Sequence, residues 1–293
     1  MKDKTHGGAV DGGRASLYVV ATPIGNLADI TLRALDILKQ VDVIAAEDTR
    51  VTAHLLRHHG IATKLLALHE HNERHAADRL IELLAAGKSV ALVSDAGTPA
   101  ISDPGALAVA AVRAAGYPVF ALPGANAALC ALAASGQAVP HFLFYGFLPA
   151  QAAARQRELE ALKTMRWLLV FYEAPHRVVE CIEDMTSVFG AARGVTIARE
   201  LTKLFESVHR CTLGEAAAWL AGDDNRRRGE FVLLVEGAAV AVADEIAAAT
   251  RTLEILLREL PLKQAVQLAA EITGGARNAL YSRALELKKS GAV

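Results

Sequence analysis

Ser89-Val-Ala-Leu-Val-Ser94 runs directly into Asp95-Ala-Gly-Thr-Pro-Ala-Ile-Ser-Asp-Pro-Gly105, and the fold is read from that junction. A short continuous apolar run reads as a strand buried on both faces. The loop after it is built from small and turn-forming residues, and a helical pattern extends from Pro104 to Ala115. Asp103 is placed to cap that helix and Pro104 to occupy its first turn. The same alternation extends to both sides. Upstream, Leu17 to Ala21 reads as a strand, Thr31 to Gln40 as a helix with Leu32, Leu35 and Leu38 at helical spacing, and Val41 to Ala46 as a second strand. Downstream, Pro118 to Leu122 is a further strand. Such alternation implies an α/β fold with a mainly parallel sheet covered on both faces.

Beyond Gln137 the pattern starts again. His141 to Phe147 is aromatic and apolar, a strand at a domain junction, and a polar, Ala-rich helix runs from Gln151 to Lys163. Trp167 to Tyr172, Gly194 to Ala198 and Phe231 to Val235 are further strands of a second α/β domain. The last fifty or so residues change character. Glu245 to Glu259 is helical, Leu260-Pro261 opens another helix that ends near Gly274-Gly275, and a third runs from Ala276 to Lys289. Three short helices with a Gly-containing turn before the last match a helix-turn-helix outline. The expected organisation is a flexible tail over 1–15, α/β domains over 16–137 and 138–240, and a helical domain over 241–293.

Composition excludes several classes. Hydrophobic residues make up 53% and charged residues 22%, enough for a large core. A net charge of -1 gives no bulk attraction for nucleic acid, so any RNA contact must come from local patches. Cys130, Cys181 and Cys211 lie far apart with no C-x-x-C pair, which fits a reducing cytoplasm and no disulfide framework. The first fifteen residues contain no apolar signal region. Ala114 to Ala154 carries no charged residue but is broken by Gly116, Pro118, Pro123, Gly124, Gly136 and Pro140, so it reads as buried core, not as a membrane span.

Neither G-x-G-x-x-G nor G-x-x-x-x-G-K-[ST] occurs, so a dinucleotide or ATP phosphate site has no support. Three other loops stand at strand ends: Thr22 to Asn26, Ser94 to Gly105 and Leu122 to Asn126. The first and third read alone as ordinary turns, whereas a turn with a helix cap accounts for Asp103-Pro104 in the second and leaves Asp95 to Pro99 unexplained. Together they open onto one cleft, because ligands of open α/β sheets bind beyond the carboxyl ends of strands. Small residues let main-chain groups approach a ligand, which suits a zwitterionic nucleoside without phosphates. Glu47-Asp48-Thr49-Arg50 comes after an apolar strand near the same mouth; the plain alternative is a helix cap with a surface ion pair. His69-Glu70-His71-Asn72-Glu73 holds an H-x-H pair but no third or fourth ligand at a clear spacing, so no metal is expected.

The motifs T-P-I-G-N, A-E-D-T-R (Ala46 to Arg50), H-E-H-N-E, S-D-A-G-T-P-x-I-S-D-P-G and L-P-G-A-N-A-A are similar to those of the tetrapyrrole methylase superfamily. F-Y-E-A-P-H-R (Phe171 to Arg177), A-R-E-L-T-K (Ala198 to Lys203) and R-G-E-F-V-L (Arg228 to Leu233) extend the match over roughly residues 16 to 293. The chain most resembles the superfamily's ribosomal branch, which 2′-O-methylates a cytidine of 16S ribosomal RNA. The resemblance implies S-adenosylmethionine in a cleft between two α/β domains. Carried over by motif, the first domain offers Pro23, Asp95, Ala96, Gly97, Thr98, Ile101, Ser102 and Ala125 to that cofactor. The second offers Tyr172, Glu173, Ala174, Ala198, Arg199, Gly229, Glu230 and Phe231. It also implies a homodimer acting on RNA of the small ribosomal subunit.

The chemistry is displacement at an activated methyl group, so alignment of the acceptor matters most. A general base would help a weakly acidic ribose hydroxyl. The candidates are Glu47, Asp48, Asp95 and His71; the residues do not choose among them, and positioning alone can suffice. Arg50 and Lys203 are candidates for holding phosphates. Arg277, Arg283, Lys288 and Lys289 give the final helix an excess of positive charge suited to RNA, or else simply a solvated face. Two rivals share this reading: a C-methyltransferase acting on a precorrin-type tetrapyrrole, and a non-catalytic ligand sensor that binds nucleic acid. E-D-T-R, H-E-H-N-E and the C-terminal helices favour the ribosomal branch.

Overall fold

The computed structural model describes residues 15–69, 73–239 and 242–289, with the side chains of 242–248 and 289 outside the description. Residues 1–14 of the expected tail over 1–15, and the candidate His71, therefore lie outside the described residues. Strands β1 (Leu17–Val20), β2 (Val43–Ala46), β3 (Lys64–Ala67), β4 (Val90–Val93) and β5 (Val119–Leu122) form a parallel sheet in the order β3-β2-β4-β1-β5. Helices α1 (Leu32–Gln40), α2 (Thr49–His58), α3 (Glu73–Ala85) and α4 (Ala106–Ala114) connect them. Successive strand residues face opposite sides of a sheet, and the core divides accordingly. Tyr18, Val20, Ile44 and Val93 pack with Ile37, Leu38, Leu55 and Leu56 of α1 and α2. Leu17, Val19, Val43 and Leu92 pack with Leu80, Leu84, Ala108 and Val112 of α3 and α4. Helices on both faces are the reason β1, β2 and β4 are apolar along their whole length.

Helix α5 (Ala127–Ala134) leads to a second sheet. Strands β6 (Phe142–Phe147), β7 (Leu168–Glu173), β8 (Gly194–Arg199), β9 (Ser207–Thr212) and β10 (Phe231–Val235) lie in the order β6-β7-β10-β8-β9. The β6–β7 pair is parallel and the other pairs are antiparallel. One face packs Leu169, Phe171, Ile197 and Leu233 against α6 (Ala152–Leu162), α7 (Val178–Phe189) and α8 (Leu213–Ala221). The other packs Val170, Ala198, Val232 and Leu234 against Ala128 and Ala131 of α5, with Ile24 from the loop after β1. The small side chains of α5 let it lie close on the second sheet, and the described residues up to Glu236 form one compact unit.

The start of α4 corrects one expectation. Asp103 does not cap it: the helix begins at Ala106 behind Gly105, and no side chain next to it in sequence caps it. Instead the buried Glu73 turns its Oε1 to the N–H groups of Gly105, Leu107 and Ala108, at 2.8, 2.9 and 3.3 Å. A carboxylate there satisfies donors that the helix itself leaves open and meets the positive end of its dipole. Pro261 likewise stands one position earlier than expected, at the N-cap of the helix it precedes.

The described residues from Gly237 onward form the second unit. It consists of α9 (Val242–Glu259), α10 (Leu262–Thr273) and α11 (Arg277–Lys289). Leu253 and Leu257 of α9 meet Val266 and Ala269 of α10 and Leu280 and Ala284 of α11 in its core. Gly274 ends α10 in the left-handed conformation, φ +71. Among the described residues no helix is long and apolar enough to cross a membrane.

Candidate active site

The strand order places β1 between β4 and β5, so the three small-residue loops leave the sheet side by side. They are bonded to one another. Thr22 N–H donates to Gly97 O at 2.8 Å and Gly97 N–H to Thr22 O at 2.9 Å. Thr22 Oγ1 donates to Ser94 O at 3.0 Å, and Thr98 Oγ1 to Ala125 O at 3.1 Å. Gly97, at φ +83, thus commits its main-chain groups to the loop after β1. Ala100 and Ser102 stand at φ +68 and +66, conformations that side chains disfavour. Left-handed non-glycine residues cost about 1 kcal/mol or more each and gather at functional sites.

These loops and the second sheet enclose a cavity of about 350 Å³. Ala96, Gly97, Thr98, Ile101 and Ser102 line it from the first sheet, and Tyr172, Glu173, Ala174, Glu230 and Phe231 from the second. Pro23, Asp95, Ala125, Ala198, Arg199 and Gly229 lie outside the lining. Ala198 is packed beneath α5. Arg199 ties two loops together: its guanidinium donates to Asn225 O, Arg228 O and Phe205 O at 3.0, 3.1 and 2.8 Å. Sequence reasoning does not name Ile24, Asp103, Asn126 and Phe147 for the cofactor, yet all four line the cavity. Asn126 carries a readable signal, since it stands in a strand-end turn and caps α5, accepting from Leu129 N–H at 3.1 Å. Phe147 carries none, because an aromatic at the end of an apolar strand reads as core.

The acidic residues beside the cavity differ sharply in environment. Asp48 caps α2 by accepting from Arg50 N–H at 2.8 Å and pairs with the Arg50 guanidinium at 2.6 Å. That hydrogen-bonded cation holds its carboxyl down to about 2. The Arg50 side chain itself is 89% exposed. Asp95 accepts from Asp48 N–H at 2.9 Å, while Asp95 N–H donates to Glu47 at 3.3 Å. Burial, with the charges of Asp95 and Asp48, pushes the Glu47 carboxyl up. Asp103 is pushed up to about 6, first by burial and then by the charges of Glu47 and Asp95.

Three acidic residues line the cavity, Asp103, Glu173 and Glu230, but the Glu173 side chain is fully buried and only the carboxyl groups of Asp103 and Glu230 have access to it. Glu173 is engaged by Ala174 N–H at 2.8 Å and lies 3.2 Å from Arg177 Nε. Glu230 shares Lys203 Nζ with Glu200, each at 2.8 Å. Asp103 has no ion-pair partner among the described residues. In the second unit Arg277, Arg283 and Lys288 are exposed on α11, with Arg283 2.9 Å from Glu286; the side chain of Lys289 lies outside the described residues.

Residues 16–217 match the family model of Tetrapyrrole (Corrin/Porphyrin) Methylases. The chain belongs to that family. Residues 243–288 match the model of the RsmI C-terminal HTH domain. The chain is 51% identical to the Ribosomal RNA small subunit methyltransferase I of Escherichia coli O157:H7, over 95% of this chain and 97% of that one. It is 50% identical to the protein of the same name from Pseudomonas aeruginosa, over 92% and 97%. Among solved structures, its fold is similar to that of a uroporphyrin-III C-methyl transferase from Thermus thermophilus complexed with S-adenyl homocysteine. That match has a TM-score of 0.54 and 17% identity, and covers 75% of this chain and 97% of the other. Two sheets joined as here, with a helical unit after them, are thus a tetrapyrrole-methylase architecture with a helix-turn-helix-type addition.

Proposed function

We propose that this protein uses S-adenosylmethionine to methylate ribosomal RNA of the small subunit, at the 2′-oxygen of a cytidine ribose. The observation that carries the reading is the cavity shared by the three strand-end loops and the second sheet, in a chain half identical along its length to relatives named for that RNA. The cavity's chemistry fits the cofactor. Its volume falls in the small-ligand range. Ile24, Leu201 and Val232 give it apolar walls, and the carboxyl groups of Asp103 and Glu230 suit a ligand bearing an ammonium and a sulfonium. When bound, S-adenosylmethionine supplies an activated methyl group. Residues of the loops after β4 and β5 would hold it, with Tyr172 to Ala174 and Glu230 to Phe231 closing the other side.

The chain's own contribution is to orient the acceptor, exclude water and hold a proton. Asp103 is the cavity carboxyl best suited to the last task. It lines the cavity without an ion-pair partner, and its pKa of about 6 leaves it a carboxylate at neutral pH yet basic enough to take a hydroxyl proton. Glu47 and Asp95 act through it, by keeping that carboxyl raised. Arg50 and Lys203, together with the exposed cations of α11, would meet RNA phosphates. The halves 16–137 and 138–240 close on the cofactor, 241–293 holds RNA, and the resemblance implies a cytoplasmic homodimer. The test is transfer of radiolabelled methyl from S-adenosylmethionine to 30S subunits, in EDTA, with a precorrin offered in parallel. Label on the RNA is expected. Label on the tetrapyrrole alone, or on neither, refutes the reading.

A further inference from the structure

Phe147, the last residue of β6, lines the cavity and yet is 52% exposed. Its position is set by the backbone before it. β6 slips register against β7 between Phe144 and Gly146. Gly146 stands at φ +82, and a Cβ there would lie 2.9 Å from Ser102 Oγ. A bulge of this kind bends its strand and re-aims the side chains beyond it. Here it draws the end of β6 against the Ser102 loop and presents Phe147 at the cavity mouth. The ring is also held. Its centroid lies 5.6 Å from that of Tyr172 at 66°, and Tyr172 is fixed in turn by Phe144 at 5.0 Å and by Ala128 N–H, which donates to its hydroxyl at 3.2 Å. A T-shaped contact covers at most one face of a ring. From the first sheet, Ile101 lines the same cavity and is 41% exposed. The mouth is thus flanked by one fixed aromatic ring and one branched aliphatic chain.

We infer that Phe147 stacks on the target nucleobase, with Ile101 giving apolar contact from the loop after β4, and so sets the ribose against the cavity. The inference rests on the function proposed above. A nucleotide whose ribose must reach a cavity between two sheets has to leave its own stack. Proteins replace the lost stacking with aromatic and apolar side chains. A ring reads the π-face of a base and not its edge, so Phe147 provides affinity and orientation without choosing between bases.

The experiment compares the parent with Phe147→Ala, Phe147→Leu and Phe147→Tyr, all as full chains. It measures S-adenosylmethionine affinity by calorimetry, and KM and kcat for methyl transfer to 30S subunits. Loss of one stacking contact should raise KM for 30S subunits about tenfold in Phe147→Ala. Phe147→Leu, which keeps an apolar chain of similar bulk, should lie between, and Phe147→Tyr should restore the parent value. Cofactor affinity should stay within about twofold throughout. An unchanged KM in Phe147→Ala and Phe147→Leu overturns the inference. So does a loss of cofactor affinity equal to the loss for RNA, which would put the ring over the cofactor. A parent that labels no 30S RNA refutes the proposed function first, and this inference with it.

Discussion

Asp103→Asn should make the protein more stable and nearly inactive, and the pH at which each effect emerges is fixed in advance. Burial and the charges of Glu47 and Asp95 move the Asp103 carboxyl from 3.8 to about 6. A displacement of that size corresponds to about 3 kcal/mol as a ceiling. Asp103 is partly open to solvent, and screening reduces that to about 1 kcal/mol. The sign is set by linkage. Below pH 3.8 the carboxyl is protonated in both folded and unfolded chains, so Asp and Asn should be equivalent there. As pH rises toward 6 the unfolded chain ionises first, and the folded state loses stability until its own carboxyl has ionised. The variant's advantage should therefore grow across that window and level off near pH 8, where its melting temperature should lie about 2 °C above the parent's. Catalysis should move the other way. The parent's kcat/KM should rise through a pH near 6, and the variant should lose about a hundredfold or more at every pH above it. Thermal unfolding near pH 5 and pH 8, with a pH–rate profile on 30S subunits, checks both. A variant that gains no stability near pH 8 refutes the electrostatic account. One that keeps the parent's rate removes Asp103 from proton transfer.

Gly97→Val places a β-branched residue at φ +83 and strains the paired contact with Thr22, so calorimetry should show S-adenosylmethionine affinity down at least about tenfold in a folded protein. Unchanged affinity would take this loop out of the site. Glu73→Gln removes the charge that faces three N–H groups of α4, and denaturant unfolding should show a loss of about 1–2 kcal/mol; equal midpoints would mean the cap contributes nothing. Changing Arg277, Arg283, Lys288 and Lys289 together to Ala should leave cofactor affinity alone and flatten the salt dependence of 30S methylation, since each phosphate contact contributes a slope of about -0.7 to -0.9. The same rate and salt dependence as the parent would confine those helices to packing.

How much of the fold is legible in the sequence depends on how locally each feature is determined. β1, β2 and β4 stand out, because strands covered on both faces must be apolar throughout, and β5, an edge strand, stands out because it is apolar all the same and its chain must turn at Pro123-Gly124. β3 and β9 do not. Both are edge strands, only partly buried, and Ser207-Val-His-Arg-Cys-Thr212 carries as many polar groups as a loop. Asp103 marks the limit of a local rule. Asp before Pro at the start of a helical pattern has the composition of a cap, yet Glu73, thirty residues upstream, already occupies that helix end. Released from capping, Asp103 faces the cavity. Phe147 is hidden for a related reason: nothing in F-L-F-Y-G-F says that the strand breaks register at Gly146 or that its end meets Ser102, a residue of the distant loop after β4.

The site is held in place from outside its own lining. Its unfavourable features are concentrated in one short stretch: Ala100 and Ser102 in left-handed conformations, and Asp103 ionised near two other carboxylates. None of these would persist if the loop could relax by shifting its ends. At one end Ser94 O and Gly97 are bound by Thr22 of the neighbouring strand end. At the other, Glu73 holds Gly105 and the first turn of α4. Across the cavity, Gly146 brings β6 up against Ser102, where a Cβ would lie 2.9 Å from Ser102 Oγ and would have to push that hydroxyl aside. The anchors are hydrogen bonds, one buried carboxylate and one close glycine contact, and most of the residues that make them lie beyond the cavity lining. Strain and like charge sit where the chemistry is proposed, and the restraint sits mostly just outside it. That separation explains why H-E-H-N-E resembles a catalytic motif in sequence while Glu73 acts as a fastening: Glu73 fixes the loop that carries Asp103, and stands outside the cavity itself.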